Sequence, residues 1–153
     1  MNPLEILMRE HELVRKEVLE LEEMTYSPSV NTRDFSELFR RLSRFWDMHE
    51  AKEEKLIKIL NFEGYRVDFD KVYFEHGILS GHRKAIIEAI NSGDEEIIKR
   101  VIKTTCGELI DVLRAHMMAE DMIFASVAWE EIGSETLQKI MLLQIIPSDD
   151  LVD

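Results

Sequence analysis

The 153-residue chain has a single cysteine, Cys106. One thiol can form no internal disulfide, and it cannot supply a cysteine-rich metal site. There are only three prolines and six glycines, so few points interrupt regular structure. No apolar run approaches the ~20 residues that a membrane-spanning helix needs. The N-terminus, Met1-Asn2-Pro3-Leu4-Glu5, has neither the basic nor the apolar stretch of a secretory signal, which predicts a cytoplasmic protein. Positive charge is also short: 19 Lys and Arg stand against 31 Asp and Glu, for a net charge of −12. Such a surface repels phosphate backbones and acidic lipids, which argues against nucleic acid and membranes as partners.

What remains is an ordinary globular mixture, 45% hydrophobic and 33% charged, long enough for one domain with a real core. Strand signals are nearly absent, and apolar residues recur at three-and-four spacing. Asn2-Pro3 reads as a cap followed by proline at the first helical position. A first helix is expected from there to about Met24, with Leu4, Leu7, His11, Val14, Val18 and Leu21 on one stripe. A second runs from about Thr32 to Asn61 and carries Phe35, Leu38, Leu42, Trp46, His49, Glu53, Leu56 and Leu60. A third, from near Asp68 to Asn91, carries Val72, His76, Leu79, Arg83, Ile86 and Ile90. A fourth, from Asp94 to about Ala128, carries Ile98, Ile102, Leu109, Leu113, His116, Glu120 and Ile123. Four long amphipathic helices with short connections predict an all-α, up-down-up-down four-helix bundle over about residues 3–128. A short helical appendage is expected within 134–153, so that residues 1–153 form one domain. Its apolar run Leu142–Ile146 predicts a buried tail or a homodimer contact.

Four of the five histidines, His11, His49, His76 and His116, fall one per helix on the apolar stripes. A buried imidazole requires a hydrogen-bond partner or a metal. One such residue is ordinarily a satisfied core side chain; four on four helices call for a common cause. Glu53 follows His49 by four residues and Glu120 follows His116 by four. Residues four apart lie about 40° apart around the helix and about 6 Å along it, so each pair can face one site. A glutamate on a core face is costly unless it is paired or metal-bound. Depth agrees as well. His11 and His76 lie about 10–12 Å from the starts of their helices, and Glu53 and Glu120 about 12 Å before the ends of theirs. In antiparallel neighbours, all six side chains meet in one slab.

Four imidazoles and two carboxylates, without thiolate, suit first-row transition ions. Two ions use all six donors if Glu53 and Glu120 bridge them, with His11 and His49 on one ion and His76 and His116 on the other. A structural zinc site is closed and four-coordinate and does not need so many ligands. Iron favours about six donors and would keep one or more positions open in such a site, and other first-row metals are able to occupy it in recombinant protein.

The segments REHELVRKEV around His11, HEAKEE around His49, FEH around His76 and HMMAEDMIF around His116 resemble the hemerythrin family, in its broad HHE cation-binding form. The resemblance spans all four helices. It implies a non-haem di-iron centre that binds or senses dioxygen or a related small ligand, with iron sensing or repair of damaged iron centres in some members. It also raises three further ligand candidates. Glu50 follows His49 directly, where an iron-sensing F-box relative resembles having an added ligand. Asp121 competes with Glu120, because oxygen-carrying members place an aspartate five residues after the last histidine. Those members also have a second histidine four residues after the one on the third helix. Here that position is Ser80. His82, two residues further on, points about 120° away from His76 on a straight helix, which favours a surface or supporting role. Ser80 weighs against simple oxygen carriage.

Cys106 reads as a buried inert thiol, and Met117, Met118 and Met122 as core filler. No second catalytic group is legible, so a binding or sensing protein is favoured over an enzyme. The alternatives are a di-iron oxidoreductase acting on peroxide, nitric oxide or ferrous iron, an iron sensor or store, and a metal-free packing protein.

Overall fold

The computed structural model describes residues 2–129 and 133–142. Every regular element among them is helical. In order they are α1 (Pro3–Thr25), α2 (Thr32–Phe62), α3 (Phe69–Ser92), α4 (Glu95–Val101), a π-helical turn (Ile102–Cys106), α5 (Gly107–Trp129) and α6 (Ser134–Met141). No helix among the described residues is long and apolar enough to cross a membrane.

Helices α1 to α4 each begin at a side chain that accepts from exposed N–H groups of the first turn. Asn2 Oδ1 accepts from the Glu5 N–H while the Glu5 carboxylate accepts from the Asn2 N–H, each at 3.0 Å, a reciprocal cap. Asn31 caps α2 through the N–H groups of Arg33 and Asp34. Asp68 caps α3 through Lys71, and Asp94 caps α4 through Glu96 and Ile97. Gly93 ends α3 in the left-handed region at φ 66°, where a side chain would be strained.

The expected fourth helix is the element that departs from expectation. It is one continuous rod, with helical backbone angles at Val101, Ile102 and Gly107, but a π turn interrupts its α geometry. The residues Ile98, Ile102, Cys106 and Ile110 are all buried. Residues four apart drift about 40° per step on an α-helix. One wider turn removes that drift and keeps the stripe on the core. Gly107 follows the turn, and the Tyr26 hydroxyl would lie only 2.9 Å from a Cβ at that position.

α1 packs against α2 and α5, α2 against α3, and α3 against α5, so four rods enclose a common interior. That interior has two apolar blocks. The larger includes Val18, Phe35, Phe39, Trp46, Leu79, Ile86, Ile102 and Leu113. The smaller includes Leu4, Leu7, Leu56, Leu60, Val72, Phe124 and Ile140. α6 lies within the appendage expected at 134–153 and packs on α2. Ile140 is buried there, and Lys139 pairs with Glu63 at 2.5 Å. Leu142 is exposed, and the rest of the apolar run to Ile146 lies outside the described residues.

Candidate metal centre

Between the two apolar blocks each long rod carries its polar residues. They are His11 on α1, His49 and Glu53 on α2, His76 on α3, and His116 and Glu120 on α5. All six are at most 4% exposed. The four Nε2 atoms point at the two carboxylates. His49 Nε2 lies 3.0 Å and His11 Nε2 3.8 Å from Glu53 Oε2. His76 Nε2 lies 2.8 Å from Glu53 Oε1 and 3.7 Å from Glu120 Oε2. His116 Nε2 and His11 Nε2 lie 2.8 and 3.5 Å from Glu120 Oε1. The donor atoms form two groups, His11–His49–Glu53–Glu120 and Glu53–His76–His116–Glu120, each within 4.8 Å and sharing both glutamates.

The outward nitrogen of every one of these histidines meets a carboxylate from a neighbouring helix. His49 Nδ1 meets Glu10 of α1 at 3.0 Å, and His76 Nδ1 meets Glu54 of α2 at 3.1 Å. His116 Nδ1 meets Glu75 of α3 at 2.5 Å, and His11 Nδ1 meets Asp121 of α5 at 2.6 Å. The four contacts close a ring in which each rod supplies an acid to the next rod's imidazole. An imidazole that donates its Nδ1–H outward presents the Nε2 lone pair inward, the orientation and tautomer a metal ligand requires.

The electrostatics follow from that crowding. Burial opposes charge on His11, but Asp121, Glu120 and Glu53 outweigh it and hold its pKa well above the usual imidazole value. Burial likewise opposes charge on His76, and the adjacent carboxylates of Glu120 and Glu53 carry its pKa up to about 11. His49 and His116 are raised by the same balance of burial against adjacent carboxylates. Burial would raise Glu53, yet the groups around it, Glu120 and then the imidazoles of His11, His49 and His76, hold it well below the ordinary carboxylate range. Without metal, the cluster therefore holds its charge balance with protons, and any ion entering must displace them.

The donor atoms fit a metal better than they fit each other. His116 Nε2 and both Glu120 oxygens are buried without a hydrogen-bond partner. His116 Nε2 and Glu120 Oε1 have the separation of a hydrogen bond but not its direction. The Nε2 atoms of His11 and His49 are 2.9 Å apart, and only one hydrogen fits between them. His116 Nε2 and the Glu120 oxygens, which converge without bonding one another, are suited to sharing a third atom, and the mixed imidazole–carboxylate set suits a first-row transition ion.

The three additional candidates stand outside both groups. Asp121 binds His11 Nδ1 and Arg15. Glu50 accepts from the Trp46 indole N–H and lies 3.7 Å from Arg83; burial raises its pKa. His82 is partly exposed with Glu108 at 4.0 Å, and Ser80 is half-buried on the turn after His76. Cys106 is buried and accepts from the Thr25 hydroxyl at 3.2 Å; burial pushes its thiol up to about 11. Of the methionines expected as core filler, Met117 is buried but Met118 and Met122 are exposed, because they lie off the core stripe of α5. Glu10, Glu54 and Glu75 were not singled out from the sequence. The available signal was adjacency: each is next in sequence to one of the six.

A helical protein whose four long rods converge buried imidazole and carboxylate donors belongs to the metal-binding helical class. The family model of the hemerythrin HHE cation binding domain matches residues 2–128, and the chain belongs to that family. No curated protein and no solved structure gives a significant match.

Proposed function

We propose that this chain is a non-haem di-iron protein, an up-down-up-down four-helix bundle forming one domain, that binds or senses dioxygen or a related small ligand. The observation that carries the reading is the pair of four-residue donor groups sharing Glu53 and Glu120. On this reading His11 and His49 serve one ion, His76 and His116 the other, and the two glutamates bridge them. Two imidazoles and two carboxylate oxygens per ion leave iron short of the about six donors it favours. When bound, iron supplies redox chemistry and vacant positions for a small ligand.

The surrounding side chains keep that space dry. The Trp46 ring centroid lies 4.9 Å from that of His49, and the Trp46 and Phe124 rings stack on His11 at 6.1 and 6.4 Å. Trp46, Leu79 and Leu113 also line an apolar cavity of about 20 Å³, room for a diatomic molecule rather than an organic substrate.

Protein produced in iron-rich medium should contain about two metal ions per chain by elemental analysis. A folded chain with almost none would end the reading. Zinc or manganese in place of iron would not, because availability governs occupancy. Optical spectra of the reduced iron protein before and after air then separate the functions. A change that reverses under vacuum supports binding. Sustained consumption of peroxide, nitric oxide or ferrous iron supports an oxidoreductase, and no change in a loaded protein supports an iron sensor or store.

A further inference from the structure

The ring of outer carboxylates is not uniform. On the His11–His49 side, each acid is itself tied to a cation. Glu10 is 2% exposed and takes Lys52 at 2.7 Å. Asp121 takes Arg15 at 2.5 Å. On the His76–His116 side, Glu54 and Glu75 hold their imidazoles alone. No lysine or arginine among the described residues pairs with either; their side chains are 26% and 28% exposed, as Asp121 is at 27%, so the difference between the sides is the cation and not the exposure.

Access differs in the same direction. His11 and His49 are fully buried beneath Trp46 and Phe124. His116 and Glu75 instead line a surface groove of about 440 Å³ between α3 and α5, with Phe74 and Ile78 on its α3 wall. The buried donor atoms that lack any hydrogen-bond partner, His116 Nε2 and the Glu120 oxygens, include one of this side's two imidazoles. Ser80 adds no imidazole to it.

We propose that the two ion positions are unequal. The His11–His49 position loads first and holds its ion, and the His76–His116 position exchanges its ion through the groove that reaches Glu75 and His116. The proposal rests on the di-metal reading above. The physical basis is orientation. A carboxylate fixed by a cation keeps its imidazole aimed inward, whereas a carboxylate that no cation fixes can swing away and release it. Loss of an outer partner lowers metal affinity about 10- to 100-fold in known sites. A ligand that must leave before its ion can leave sets the exchange rate.

The test uses the full chain loaded with zinc, which is diamagnetic and redox-silent. A chelator is added, zinc release is followed with a metal dye, and the imidazole nitrogens are followed by NMR. One ion should leave at least about tenfold faster than the other, and the Nε2 signals of His76 and His116 should change in that fast phase. Glu75→Ala should speed the fast phase about tenfold or more and leave the slow phase unchanged. Glu75→Gln should recover part of the loss, because an amide oxygen still accepts the imidazole proton. Release of both ions in a single phase overturns the proposal. So does loss of the His11 and His49 signals first, or equal acceleration of both phases by Glu75→Ala. Wild-type protein that takes up fewer than two zinc ions fails earlier, and that failure belongs to the di-metal reading.

Discussion

The same four rods build two kinds of interior. In the larger apolar block, Phe35, Phe39, Leu21 and Ile102 are at most 1% exposed and interact through contacts that neither pH nor metal alters. About three to four turns further along the same helices, the slab of His11, His49, Glu53, His76, His116 and Glu120 is buried as deeply, but every member depends on a proton or an ion to balance it. Burial alone therefore does not distinguish core from site. What distinguishes them is whether the buried atoms are satisfied by one another.

The largest effect should come from the apolar block. Phe39→Ala should lower stability by about 3–5 kcal/mol in urea denaturation. The loss should be the same with and without metal. A loss that grows on metal removal would mean that the two regions are coupled and would blur the contrast.

His49→Ala should act through the slab. A bound ion stabilises only the folded state, by about 4 kcal/mol at a free concentration a thousandfold above its dissociation constant. The variant should forfeit most of that gain, so thermal denaturation with and without metal should nearly coincide. If it gains as much from metal as wild type does, the ion sits elsewhere.

The pH response should have opposite signs in the two states. In the metal-free protein the histidine pKa values are raised, to about 11 for His76. Their contribution is complete below the ordinary imidazole value of 6.5 and is lost as pH rises through the folded value. Glu53 is lowered, so its contribution is present above the ordinary carboxylate range and is lost in acid. Melting temperature of the metal-free protein should thus fall as pH rises above about 6.5. Metal competes with protons for the same nitrogens, so the gain from added metal should rise over that interval. Parallel pH profiles for the two states would remove the histidines from metal binding.

The smallest effect is expected from His82→Ala, within about 0.5 kcal/mol and with metal content unchanged. If this substitution empties the site while His76→Ala does not, the third helix has been assigned the wrong histidine.

The stripe pattern was legible because burial selects side chains at the helical period. His11, His49, His76 and His116 could be read as converging because i+4 spacing and helix length fix angle and depth. Glu10, Glu54 and Glu75 were not legible. They sit on the flanks of their helices, where an acid is normally solvated, and only the neighbouring helix shows that each meets an imidazole. Met118 and Met122 were misread for the related reason that hydrophobicity does not say which flank a residue takes.

The sequence by itself determined the helices and their caps, the apolar stripes and the donor types, because these depend on local backbone preference and periodicity. Tertiary structure alone decided the π turn at Ile102–Cys106 and the pairing of each imidazole with an acid from the next rod. It also decided that Glu10 and Asp121 are tied to cations while Glu54 and Glu75 are not. Those features depend on how separate helices are rotated and staggered against one another, and that relation is carried by no local stretch of the chain.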